Sequence, residues 1–325
     1  MLQTINGRLE KMMPLITPAS VVLGVLFAVQ LVPYTFLVPW IFAFMTFTGS
    51  LGSNFKSLKQ VVLHPLPPII VLVILHVLMP VWAWGFGQLA FSGDVHTIAG
   101  FVLAAAIPTG ITSIIWVSVY KGDIVLALSI VLIDTLLSPI IVPNLMLLFG
   151  EKAIDIDTWP MMKGLCIMVV VPSLLGMLLN QLTCGKAKET AGVFLAPFSK
   201  LGLGAVVMIN SASVAPYLAN INFKLILIAC SVFMIALSGY VLSWLIGKLL
   251  KWERDVIVTS MFTGGMRNIS VGAVLAVTYF PAATAVPVIL GMLFQQVLAS
   301  SCGHLLGHYD HPIYRANVKE KIAQR

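Results

Sequence analysis

The chain has 325 residues, 59% hydrophobic and 10% charged, with a mean hydropathy of +1.00 and a formal net charge of +7. That composition excludes a soluble domain and fits a polytopic membrane protein. The positive charge does not indicate nucleic acid: the basic residues sit in short loops between apolar runs, where they set topology.

In chain order, the amino end carries Arg8 and Lys11 before an apolar stretch, Met12 to Val32. This superficially resembles a signal peptide, but the apolar part is long and lacks a small-residue cleavage site, so a first span is expected. About ten spans follow the ~20-residue requirement of a bilayer core. They are Pro14–Val32, Tyr34–Leu51, Pro67–Phe91, Ala99–Tyr120, Ile124–Phe149, Trp159–Leu182, Val193–Tyr217, Lys224–Leu249, Val256–Tyr279 and Ala283–Leu306. Cys166, Cys184, Cys230 and Cys302 are scattered and form no CxxC, so neither a disulfide framework nor a metal site is expected. No soluble domain or linker interrupts the series.

Alternate loops carry Lys56 and Lys59; Lys121; Lys186, Lys188 and nearby Lys200; and Lys248, Lys251 and Arg254. The carboxyl tail adds Arg315, Lys319, Lys321 and Arg325. The other loops hold Asp94, Glu151, Asp155 and Asp157, with only Lys152, Lys163 and Lys224. The positive-inside rule then places both termini in the cytoplasm, which requires an even number of spans. Short loops fit a bacterial inner (plasma) membrane. Ten spans divide into two halves of five with opposite orientation, an inverted repeat, at 1–155 and 156–325.

Two spans are interrupted at matching places. The fourth contains Pro108-Thr109-Gly110-Ile111-Thr112-Ser113, and the ninth contains Thr263-Gly264-Gly265-Met266-Arg267-Asn268. Each glycine weakens a helix by roughly 1 kcal/mol relative to alanine. An arginine at mid-span costs about 2.5–3.5 kcal/mol on insertion scales. Pro108 removes a backbone donor. Paired interruptions of this kind point to a transporter's binding site; the bland alternative is two unrelated packing kinks.

Other polar residues fall within the spans. Asp134 is expected to pair with Arg267, either structurally or as part of transport. His76 is either a proton site or a hydrogen-bonded structural residue. Asn210 and Ser211 suit helix–helix hydrogen bonds. Gln295 and Gln296 point about 100° apart on a helix, so only one faces a given cavity.

These segments together resemble the bile acid:sodium symporter family over nearly the whole length. The matching stretches are Pro108 to Ser113, Lys121-Gly122-Asp123, Thr135-Leu136-Leu137-Ser138-Pro139, Gly265-Met266-Arg267-Asn268 and Gln295-Gln296. The resemblance implies a panel domain from spans 1, 2, 6 and 7 and a core domain from spans 3–5 and 8–10. It also implies that spans four and nine break and cross, and that substrate moves by alternating access. Substrate-binding candidates are then Thr109, Thr112, Arg267, Asn268, Gln295 and Gln296. Ion-coupling or ion-pair candidates are Ser113, Asp134, Thr263, Met266, Arg267 and His76.

The chain departs from the family's sodium sites. Ile114 follows Ser113, Ala127 and Val131 stand at hydroxyl positions, Thr263 replaces an acidic residue and Arg267 a glutamine. A residual sodium site would rest on Ser113, Thr263 and the Met266 carbonyl; no other metal or cofactor is expected. Arg267 either stands in for a sodium ion or grips a carboxylate with its bidentate fork.

The expected function is secondary transport of organic anions, bile acid-like or small carboxylic acids, within a lipid bilayer. The alternatives are a sodium-independent or proton-coupled carboxylate carrier, and a non-transporting membrane sensor. An enzyme is not expected: one intramembrane carboxylate cannot make an aspartyl dyad, and HExxH is absent. The substrate's identity, the coupling ion and the oligomeric state are open at this point.

Overall fold

A computed structural model describes residues 2–53, 65–149, 157–219 and 221–323. Lys56, Lys59, Glu151, Lys152, Asp155, Arg325 and the 155/156 boundary lie outside the described residues. So do the side chains of Arg8, Lys11, Arg315, Lys319 and Lys321.

The described residues are mostly helical. Seven helices are long and apolar enough to cross a membrane: α2 Ala28–Ser50, α3 Leu66–Ala90, α6 Ile124–Phe149, α7 Thr158–Leu182, α8 Lys188–Ser213, α9 Phe223–Leu249, and the Ala282–Leu306 part of α12 (Ala282–Ala323). Shorter apolar helices are Leu15–Leu26 within α1 (Leu2–Leu26), α4 Val95–Ala106 and α11 Ile269–Tyr279. Two further segments, α5 Ser113–Val119 and α10 Arg254–Gly265, complete the interrupted helices.

The first expected boundary moves. The chain turns at Phe27 rather than between Val32 and Tyr34. Pro33 does not break α2, because it sits in the first turn of a 3-10 segment, Val32–Leu37, where its missing N–H has no partner to lose.

Proline also shapes the spans locally. Pro139 cannot donate to the Thr135 carbonyl inside α6; the Ser138 hydroxyl donates to it instead, at 2.8 Å. In α3, Pro80 follows a π-turn at Ile74–Leu78, closed by the Met79 N–H on the Ile74 carbonyl. The same arrangement recurs in α7, with a π-turn at Cys166–Val170 before Pro172. Such a turn holds one residue more than the helix needs and is often found at functional sites.

Helices α1, α2, α7 and α8 pack on one another; α3 to α6 and α9 to α12 form a second group. The groups meet where α7 touches α6 and α8 touches α11. The molecule is apolar outside, with Leu15, Val29, Trp40, Leu89, Leu148 and Phe223 exposed. Its interior buries Ser113, Asp134, Asn210, Thr263 and Arg267, the inverse of a water-soluble fold.

Candidate functional site

The interruptions lie at 107–112 between α4 and α5 and at 266–268 between α10 and α11. They meet as an antiparallel bridge between Thr109 and Arg267. The Asn268 N–H donates to the Pro108 carbonyl at 2.7 Å, and the Gly110 N–H to the Met266 carbonyl at 3.3 Å. Each break thus supplies the backbone partners the other lacks, the condition for irregular backbone at membrane depth.

Close approach requires glycine here. A Cβ on Gly110 would lie 2.9 Å from the Arg267 carbonyl oxygen, and one on Gly265 would enter the Tyr240 ring. The Thr109 hydroxyl reaches the Thr263 carbonyl at 2.6 Å and the Met266 carbonyl at 2.9 Å.

Asp134 is fully buried and closes the first break from α6. Its Oδ2 accepts the Thr109 N–H at 2.6 Å, and its Oδ1 lies 2.5 Å from His76 Nε2. The expected Asp134–Arg267 ion pair is corrected: the carboxylate is bonded instead by the His76 ring, on the π-turn of α3, and by the Thr109 backbone amide, and no ion pair joins it to Arg267. Arg267 is 6% exposed, and neither terminal guanidinium nitrogen has a hydrogen-bond partner. Its backbone N–H donates to Gln295 Oε1 at 3.2 Å.

Arg267 instead lines a cavity of about 40 Å³ with Gln295, Tyr240, Phe101, Val232 and Ile235. At ~10–15 Å³ per water, that space holds a few waters or one small polar head group. Gln295 presents its oxygen to Arg267, which leaves its Nε2 hydrogens to donate elsewhere. Tyr240 was not anticipated; its buried hydroxyl has no partner. A tyrosine in the middle of an apolar span was the signal for it.

The other candidates separate. Gln296 accepts from Trp116 Nε1 at 3.2 Å, while Thr112 is exposed and Asn268 half-buried; none of the three lines the cavity. The Thr263 hydroxyl donates to the Thr259 carbonyl at 2.8 Å. Ser113 Oγ is buried without a partner. Ile114, Ala127 and Val131 offer no side-chain oxygen, and the Thr263 and Met266 carbonyls already accept from Thr109. A sodium ion needs several oxygen ligands; of the three expected here only the Ser113 hydroxyl is without a bonded partner, too few to fit one.

At the end of the core, Asp94 caps α4 and pairs with Lys224 at the start of α9 at 2.8 Å. Burial pushes the Asp94 carboxyl up, but its hydrogen bonds to Lys224 and Thr97 outweigh this and hold it below the ordinary carboxylate value.

The sequence pattern of the Sodium Bile acid symporter family matches residues 39–221. A Bacillus subtilis (strain 168) protein, "Uncharacterized protein YbaS", is 54% identical over 92% of this chain and 97% of its own length. A second from that organism, "Uncharacterized sodium-dependent transporter YocS", is 27% identical over 81% of this chain and 83% of its own. The "Probable sodium/metabolite cotransporter BASS3, chloroplastic" of Oryza sativa subsp. japonica is 27% identical over 66% and 52%.

Proposed function

We propose, from the premise that the chain belongs to the sodium bile acid symporter family, that it carries organic anions across a membrane by alternating access. Membership makes it a multi-pass membrane transporter and not an enzyme. The proposed architecture is ten spans in two inverted repeats, 1–155 and 156–325. A panel forms from α1, α2, α7 and α8, and a core from the remaining helices. The mutual packing of those four helices supports this division, and the reciprocal breaks support the repeat. The basic loops support cytoplasmic termini in an inner membrane.

The observation that carries the substrate class is Arg267. A buried guanidinium with both terminal nitrogens open, on a cavity that also holds a free amide and a phenol, is built to receive an anion. The amino end of α11 beside it adds positive potential. In the observed conformation the cavity takes the acidic head of a ligand. The rocking of core against panel opens room for the remainder.

The departures at Ile114, Ala127, Val131 and Arg267 favour a second feature, transport that does not require sodium. One unit charge 4 Å from another is worth about 4 kcal/mol at an effective dielectric of 20, enough to keep a cation out.

The test is thermal unfolding of the detergent-purified protein with taurocholate or pyruvate, each as sodium and as potassium salt. Binding to the folded state stabilises by about 2.7 kcal/mol at a hundredfold excess over Kd. An acid is expected to raise the melting temperature in either salt, and Arg267→Gln to abolish that rise. Unchanged affinity in Arg267→Gln removes Arg267 from binding. A shift that needs sodium shows that a sodium site survives.

A further inference from the structure

The cavity accounts for Arg267 and Gln295 but leaves the His76–Asp134 pair without a task. That pair is 2.5 Å apart, with side chains 7% and 0% exposed. His76 Nδ1 is buried and unpartnered, so the ring has one nitrogen open. The π-turn of α3 centres on this histidine. Asp134 also accepts from the amide of Thr109, whose bridge partner is Arg267. One residue therefore stands between the pair and the anion site.

The ionisable surroundings are sparse. His76 is the only titratable residue on α3, and Asp134 the only one on α6. Among neighbouring elements, α4 brings His96 in its first turn, and α10 begins with Arg254 and Asp255. Helix α9 brings Tyr240, Cys230 and, near its ends, Lys224 and Lys248; α7 brings Lys163 and Cys166. Asp123 precedes α6, where its carboxylate accepts from Val125 and Leu126. Arg267 is the fixed charge at the crossover itself.

We propose that the His76–Asp134 pair is a proton-binding site, and that one proton taken up there accompanies each organic anion bound beside Arg267. The inference rests on the anion-carrier reading above. It follows from counting charge in a water-poor interior. With one proton between them, His76 and Asp134 carry a net single negative charge, which Arg267 balances. The empty carrier is then neutral at its crossover. A monovalent anion alone leaves an uncompensated negative charge, and a proton alone an uncompensated positive one. Anion and proton together restore neutrality. Buried charge without compensation is disfavoured, so only the empty and the doubly loaded carrier change orientation readily.

The geometry also relays occupancy. A proton added to the pair weakens Asp134 as an acceptor for the Thr109 N–H. The Thr109 hydroxyl in turn holds the end of α10. Protonation is thus felt at the bridge that joins the two broken helices.

The experiment uses proteoliposomes containing the full chain, with potential clamped by potassium and valinomycin and a pH dye inside. Taurocholate is the first probe, because its sulfonate stays ionised and it does not cross as a neutral acid; pyruvate is the second. One-to-one coupling makes an inside-alkaline gradient of one unit worth about tenfold accumulation, whatever the clamped potential. Uptake is expected to acidify the interior with one proton per anion. Asp134→Asn is expected to lose accumulation and acidification, and His76→Gln, which keeps one proton-accepting carboxylate, to weaken them, both keeping the taurocholate-induced rise in melting temperature. Accumulation that follows the potential and ignores the pH gradient overturns the proposal, as does wild-type accumulation by Asp134→Asn. The wild-type proton-to-anion ratio decides the matter even if both variants fail to fold. If neither probe binds or moves under any gradient, the anion-carrier reading falls, and this proposal with it.

Discussion

Thr109→Val isolates the contribution of one hydroxyl to the crossover. Thr109 is 1% exposed, and its Oγ1 donates to the Thr263 and Met266 carbonyls. The Thr263 carbonyl depends on it. In an uninterrupted helix that carbonyl would accept from the N–H of residue 267, but Arg267 gives its N–H to Gln295. Valine fills the same space, so the loss is polar rather than steric. An unsatisfied buried carbonyl costs about 1–3 kcal/mol, and water cannot reach this one. Thr109→Ser keeps the hydroxyl and gives up one methyl group, about 0.8 kcal/mol. The expected order of stability in detergent, by thermal unfolding with tryptophan fluorescence, is wild type, then serine, then valine. A valine variant within ~0.5 kcal/mol of wild type, the range of a neutral surface change, refutes the reasoning. So does a serine variant as damaged as the valine one.

Gly265→Ala would stabilise an ordinary helix by about 1 kcal/mol, but its Cβ would enter the Tyr240 ring. Overpacking of about 1–3 kcal/mol decides the sign, so a lower melting temperature is expected, and a higher one rejects the packing. Tyr240→Phe removes a buried hydroxyl with no partner; it should leave the ligand-free melting temperature unchanged or raised, and lower taurocholate affinity. Although burial raises it, hydrogen bonds to Lys224 and Thr97 hold the Asp94 carboxyl below the ordinary carboxylate value. Its contribution is therefore complete above the unfolded carboxylate value and is lost as pH falls through the folded one. Acid melts below about pH 4 should show this loss in wild type and not in Asp94→Asn; identical acid profiles exclude the group.

Much of the crossover is legible in the chain because its causes are local. Pro108 and the Gly264-Gly265 pair interrupt apolar runs, and the structure breaks both helices there. The roles of the polar residues are less so. His76 and Asp134 are 58 positions apart, and nothing in either segment encodes their meeting. The charge-based expectation joined Asp134 to Arg267 because only one fixed cation lies within the spans. It overlooked that a broken helix leaves amides in need of an acceptor, and that Asp134 fills this need at Thr109. The π-turn was hidden for a similar reason. Pro80 is visible, but whether a helix answers a proline by kinking or by slipping its ladder depends on what the extra residue can reach. Gln295 and Gln296 diverge as helix geometry requires, one to Arg267 and one to Trp116.

The reciprocal pairing of the two breaks bears on how the protein is made. During synthesis, α4 and α5 enter the bilayer while the segment that completes them, 266–268, is still unmade. Until then the backbone at Pro108 to Gly110 has no partner for its Asn268 and Met266 bonds. The first half is an intermediate that must stay near water, a chaperone or the insertion machinery until its counterpart arrives. A chain truncated after α6 would hold apolar helices competent for insertion and still lack the partners of the Pro108 carbonyl and the Gly110 N–H.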